Sequence, residues 1–120
     1  MDKILEQSLL YDFYGELLTS HQKEIYEDFA LNDLSLAEIA EMRDISRQGV
    51  HDIVRRCNRQ LSGYEEKLHL VERFLKIQKK IEEIRLLAHE LSDSEAFDRL
   101  QAAQCAQKIE GVCGEILKNL

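Results

Sequence analysis

The stretch Ser35–Cys57, SLAEIAEMRDISRQGVHDIVRRC, decides how this chain is read. Ser35 followed by Glu38 is a capping box, the start signal of a helix. The helix it opens, 36–42, is two turns long, with Leu36, Ile39 and Ala40 turned inward. Ser46 then caps a second helix that places Val50, Ile53, Val54 and Cys57 on one face. Two short helices joined by a tight turn form a helix-turn-helix, in which the second helix lies in the DNA major groove. Ala40 is the small residue that lets the helices cross. Asp44 stands where the turn needs positive φ, a region Asp tolerates better than most residues. Ile45 closes the turn.

The outward side of the second helix follows from the same period. Arg47, Gln48, His51, Asp52, Arg55, Arg56 and Arg59 face solvent. Arg47, Gln48 and His51 occupy the first turns, where base edges are read, and Gln pairs with adenine as Arg does with guanine. Arg55, Arg56 and Arg59 lie further along, placed for phosphate. Ser46 leaves the first N–H groups of the helix to a phosphate. The nucleic-acid-binding residues expected are therefore Ser46, Arg47, Gln48, His51, Arg55, Arg56 and Arg59.

Charge sharpens this assignment. The 120 residues carry a net charge of −7, yet residues 46–63 hold four arginines against Asp52 alone. Residues 1–45 hold eleven acids against three bases. The only basic concentration on an acidic chain coincides with the reader helix.

Working outward, residues 2–18 place Leu5, Leu9, Phe13 and Leu17 four apart, with Leu10 and Tyr14 beside them, an amphipathic helix. Thr19 and Gln22 form another capping box before a helix at about 20–31, which turns Ile25, Tyr26, Phe29 and Ala30 inward. The reader helix is expected to end near Gln60, with SGY at 62–64 as the break. This divides the chain into a helix-turn-helix head, 1–62, and a helical stalk, 64–120. With no proline and five glycines, the whole chain is expected to be all-α.

In the stalk, Leu70, Phe74, Ile77, Ile81, Ile84, Ala88 and Leu91 are spaced as a heptad seam. Leu70, Phe74, Ile77, Ile81 and Ile84 are the candidate packing and oligomerisation residues. In a parallel dimer Lys80 would oppose Arg85, which is repulsive. The C-terminal segment 94–118, started by SDSEAF, is therefore expected to fold back antiparallel along the stalk. Gly111 and Gly114 cost about 1 kcal/mol each there, and the last turns are expected to fray. A homodimer through the remaining apolar face is expected, since helix-turn-helix readers commonly pair two-fold.

Other chemistry is poorly supported. There is no phosphate-cradling glycine loop, nucleophile elbow or H-E-x-x-H. Glu66 and His69 make one E-x-x-H, where di-iron bundles use two. Cys57, Cys105 and Cys113 show no C-x-x-C and read as small apolar residues. No enzyme, metal or cofactor is expected. No export signal or membrane span is legible, so a cytoplasmic location is expected.

The run LTSHQKEIYEDFALNDLSLAEIAEMRDISRQGVHDIVRRCNRQL resembles region 4 of bacterial sigma factors. The wider run, from LLYDFYGELLT through SRQGVHDIVRR to YEEKLHL, resembles the YlxM family of small bacterial helix-turn-helix proteins over about the first 90 residues. That resemblance implies a regulator in or near the signal recognition particle pathway of protein targeting. DNA is the expected partner, with structured RNA or a targeting-pathway protein as the alternative. Three positions depart from the pattern: Asp44 for the turn glycine, Arg43 for an apolar residue, and Gly49 for alanine.

Overall fold

A computed structural model describes residues 2–93 and 98–120, and every regular element among them is helical. The order is α1 (Lys3–Tyr14), a 3₁₀ turn (Gly15–Leu17), α2 (Ser20–Ala30), α3 (Leu36–Arg43), α4 (Arg47–Leu68), α5 (Leu70–Asp93) and α6 (Arg99–Lys118). By contact the chain divides into two units, Met1–Val71 and Glu72–Leu120.

In the first unit, α1, α2 and α3 pack on α4. Tyr14, Tyr26, Ile25, Ile39, Val50, Cys57 and Leu61 are fully buried there. At about 1.5–3 kcal/mol for each large apolar side chain removed from water, this cluster supplies the main drive to fold. Both capping boxes form: Thr19 with Gln22 opens α2, and Ser35 with Glu38 opens α3.

The buried face of α1 keeps Leu10 and Tyr14 of the expected one but is turned toward Tyr11. Leu10, Tyr11, Tyr14 and Leu18 are inside, whereas Leu5 is 53%, Phe13 37% and Leu17 57% exposed. The cause is polar. The Tyr11 hydroxyl donates to Glu27, and the Tyr14 hydroxyl donates to Glu65 Oε1 at 2.6 Å. A buried phenol needs such an acceptor, and α1 rotates to supply it. Gly15 follows from the same rotation, because a Cβ there would come within 2.8 Å of the Tyr11 ring.

The reader helix also runs longer than its sequence suggests. It passes through Ser62, Gly63 and Tyr64 and ends at Leu68, with His69 left-handed at φ 56°. Leu61 is fully buried, and the Tyr64 ring lies 6.0 Å from that of Tyr14. Packing on both sides of Gly63 outweighs its intrinsic cost of about 1 kcal/mol. The corner after α4 is held by α1: Leu70 N–H donates to the Tyr14 hydroxyl (3.1 Å) and Val71 N–H to Glu65 Oε1 (2.9 Å).

In the second unit, the Cys105 thiol donates to the Leu87 carbonyl at 3.4 Å, and Lys80 pairs with Glu115. These contacts fix α5 and α6 as an antiparallel hairpin. The shaded positions are Ile77, Lys80, Ile84, Leu87 and Leu91 on α5, facing Ala102, Cys105, Ile109, Val112 and Ile116 on α6. Both sets repeat at three and four. The contact face on α5 is thus turned by one residue from the sequence seam, toward Lys80 and Leu87 and away from Ile81 and Ala88. Ile77 and Ile84 pack within the hairpin, while Leu70 (38%), Phe74 (39%) and Ile81 (54%) keep much of their surface. Helix α6 is capped by Asp98, which forms a capping box with Gln101, and is continuous through Gly111 and Gly114 to Lys118. Residues 94–97 of the expected start signal lie outside the described residues. Among the described residues no helix is long and apolar enough to cross a membrane.

Candidate nucleic-acid interface

Helices α3 and α4 are separated by three residues. Asp44 adopts φ 55°, ψ 46°, the left-handed conformation the turn requires, and its N–H donates to the Ala40 carbonyl. Ile45 N–H donates to the same carbonyl at 3.1 Å. Ala40 is buried at the crossing, and Val50 is buried behind it. Ser46 Oγ accepts from Gly49 N–H at 2.9 Å and fixes the start of α4. A Cβ on residue 49 would stand 3.1 Å from that oxygen, so glycine here leaves the cap unstrained.

The seven sequence-predicted residues come together on one exposed side. Ser46, Arg47, Gln48, His51, Arg55, Arg56 and Arg59 are all exposed. Gln48 Nε2 donates to Asp52 Oδ1 at 3.0 Å, and His51 Nδ1 lies 3.8 Å from the same oxygen. Asp52 thus holds the Gln48 amide, one turn before it. Among the described residues, no carboxylate lies within ion-pair distance of Arg47, Arg55, Arg56 or Arg59.

Arg43 behaves differently, and its role was not legible in the sequence. Its Nε and Nη2 donate to Asp28 Oδ2 at 3.0 and 2.9 Å, and its Nη1 donates to Glu24 Oε2 at 3.1 Å. Asp28 is the buried charged residue of the head, 6% exposed, and Asn32 Nδ2 donates to its other oxygen at 3.4 Å. The hydrogen bond to Asp28, with both carboxylates nearby, holds the Arg43 guanidinium more firmly protonated than usual. Arg43 therefore braces the C-terminus of α3 against α2, and the departure from an apolar residue is a structural substitution. The signal was Asp28, an acid on the inward side of α2.

Burial pushes the Cys57 thiol up to about 11 and the Tyr26 phenol up to about 12. Tyr26 donates its hydroxyl to Asn58 Oδ1 at 2.6 Å, tying α2 to the reader helix. Cys57 and Cys105 are buried free thiols and Cys113 is exposed. Among the described residues, no three His, Cys, Asp or Glu side chains group as metal ligands.

Residues 1–103 match the profile of the UPF0122 family, described as "Putative helix-turn-helix protein, YlxM / p13 like". The chain is 55% identical over 84 residues to a UPF0122 protein of Caldanaerobacter subterraneus subsp. tengcongensis, covering 70% of this chain and 72% of that one. It is 44% identical over 108 residues to one of Acetivibrio thermocellus, covering 84% and 92%. With one of Desulforamulus reducens the identity is 39% over 112 residues, 93% and 91% of the two chains.

Proposed function

This chain belongs to the UPF0122 family of helix-turn-helix proteins, and we propose that it is a nucleic-acid-binding regulator that reads DNA through α4. The observation that carries this reading is the contrast between two kinds of arginine. Arg43 is locked on carboxylates, whereas Arg47, Arg55, Arg56 and Arg59 project from one helix with no carboxylate in reach. Cations left unpaired on an acidic chain are suited to a polyanion from outside. Arg47, Gln48 and His51 meet base edges, Ser46 sets the helix N-terminus against a phosphate, and Arg55, Arg56 and Arg59 grip the backbone.

Three or four phosphate contacts per chain give a log–log salt slope of about −3 to −4. Two chains acting together would double it. Pairing through the exposed α5–α6 residues Ile81, Ala88, Cys113 and Leu117 supplies the second reader. The signal recognition particle pathway is the setting in which we place this regulator. The exposed Leu5 and Leu17 beside Asp12 and Glu16 support a second reading, in which the head docks a basic, apolar surface on a targeting-pathway protein.

Anisotropy of a labelled duplex, titrated between about 50 and 200 mM salt, tests the first reading. Arg47→Ala with Arg55→Ala should weaken binding at least ~10-fold and flatten the slope by about one to two. Unchanged binding in that double variant would remove this surface from the interaction.

A further inference from the structure

An open cleft of about 420 Å³ lies in the head where the start of α1 meets α2, α3 and α4. Its apolar lining comes from Ile4, Phe29, Leu36 and Val54, one residue from each helix. The volume falls within the range of small-ligand sites, about 300–1,000 Å³. No carboxylate lines it, on a unit whose first 45 residues carry eleven acids. Lys3 and Arg55 stand at its edge without an ion-pair partner among the described residues. Asn58 also lines it, and because its Oδ1 already accepts from Tyr26, the amide offers the cleft a donor.

From this chemistry we infer that the cleft is a binding site for a small amphipathic anion. An apolar body packs between Ile4, Phe29, Leu36 and Val54, and a carboxylate, phosphate or sulfonate head group meets Lys3, Arg55 and the Asn58 amide. Gln7 and His51, which can donate or accept, complete the lining, and two cations with no carboxylate among the lining residues favour a negative head group. Burial of the body supplies the affinity that exposed cations alone do not.

A ligand here reaches the reader helix directly. Arg55 belongs both to the cleft and to the phosphate-gripping side of α4, so a head group in the cleft competes with a phosphate for its guanidinium. An occupied cleft withdraws one cation from the nucleic acid, so the ligand acts as a weakening effector. This coupling, unlike the site itself, rests on the function proposed above.

The probe is anilinonaphthalene sulfonate, titrated into the full chain with methyl chemical shifts recorded. The expected result is saturable binding with shifts at Ile4, Leu36 and Val54. Lys3→Glu with Arg55→Glu should weaken it at least ~10-fold while leaving the thermal melt in place, since both side chains are exposed. The uncharged parent, anilinonaphthalene, should bind at least ~10-fold more weakly, and inorganic phosphate alone should not saturate at comparable concentrations. Shifts confined to hairpin residues such as Ile81 and Leu117, or unaltered affinity after the double charge reversal, would overturn the site. Phosphate binding as tightly as the dye would overturn its amphipathic character. With dye saturating, the salt slope for a DNA duplex should fall in magnitude by about one. Dye binding with an unchanged slope keeps the site and instead takes Arg55 out of the phosphate contacts.

Discussion

The head and the α5–α6 hairpin are both built of helices, but they remove side chains from water to different degrees. In the head, four helices converge, and Ile25, Tyr26, Ile39, Val50, Cys57 and Leu61 have no accessible surface. In the hairpin beyond Val71, Cys105 is the one buried side chain among the described residues, and Ile77, Ile84, Ile109 and Val112 are only partly shaded. Two helices share one seam, so each apolar side chain meets the opposite helix and then solvent. Several helices enclose a side chain all round. The difference teaches where rigidity resides: in the unit that carries the arginines.

The strongest test of this contrast compares cavities. Leu61→Ala or Ile39→Ala should cost about 2–5 kcal/mol, because the site is enclosed and cannot collapse fully. Ile84→Ala in the hairpin should cost less, about 1 kcal/mol, since part of its surface is already wet and solvent can fill the space left. Urea unfolding followed by circular dichroism reads both, and equal costs would break the comparison.

A second test uses the buried thiol. Native Cys57 keeps its proton until about pH 11, whereas the unfolded chain releases it near its ordinary 9.0. The unfolded state then binds fewer protons, so stability falls as pH rises through 9 to about 11, at up to about 1.4 kcal/mol per pH unit. Thermal melts across that window should show the fall, and Cys57→Ala should remove its onset between pH 9 and 10, while above pH 10 the buried Tyr26 phenol, raised to about 12, drives a further fall. At neutral pH a thiol reagent should label exposed Cys113 well before Cys57 or Cys105.

The helix interiors give a smaller effect of opposite sign. Gly63, Gly111 and Gly114 are helical with open space where a Cβ would lie. Alanine at each should stabilise by up to about 1 kcal/mol. Hydrogen exchange would show whether the gain at Gly111 and Gly114 stays local to the hairpin.

Smallest of all are the reader arginines. Arg47→Ala and Arg56→Ala should move stability by no more than about 0.5 kcal/mol, since neither packs on the core or pairs with an acid. Arg43→Met should cost distinctly more, because it strands the buried Asp28. Similar melts for Arg43 and Arg47 variants would erase the distinction between bracing and reading arginines.

Short-range signals were legible wherever both partners lie within one turn of helix. Thr19 with Gln22 and Ser35 with Glu38 close their capping boxes, and Asp44 takes the left-handed turn position. The side of α4 that carries the arginines follows from the period of Val50, Val54 and Cys57. The face of α1 was legible only in part: Leu10 and Tyr14 are inside as expected, but Tyr11 turns inward toward an acceptor 16 residues away and Leu5, Phe13 and Leu17 stay outside. Arg43 was misleading for the same reason, its partners lying 15 and 19 residues back.

Local sequence alone therefore determined that the chain is helical, where α2 and α3 begin, and which side of α4 bears positive charge. Those properties rest on backbone capping and on the 3.6-residue period, which act over a few residues. Only tertiary packing decided that α1 turns Tyr11 inside, that α4 continues past Gly63, and which residues α5 turns toward α6. Each is settled by burial or a hydrogen bond between segments far apart in the chain, and single-segment periodicity holds no record of such partners.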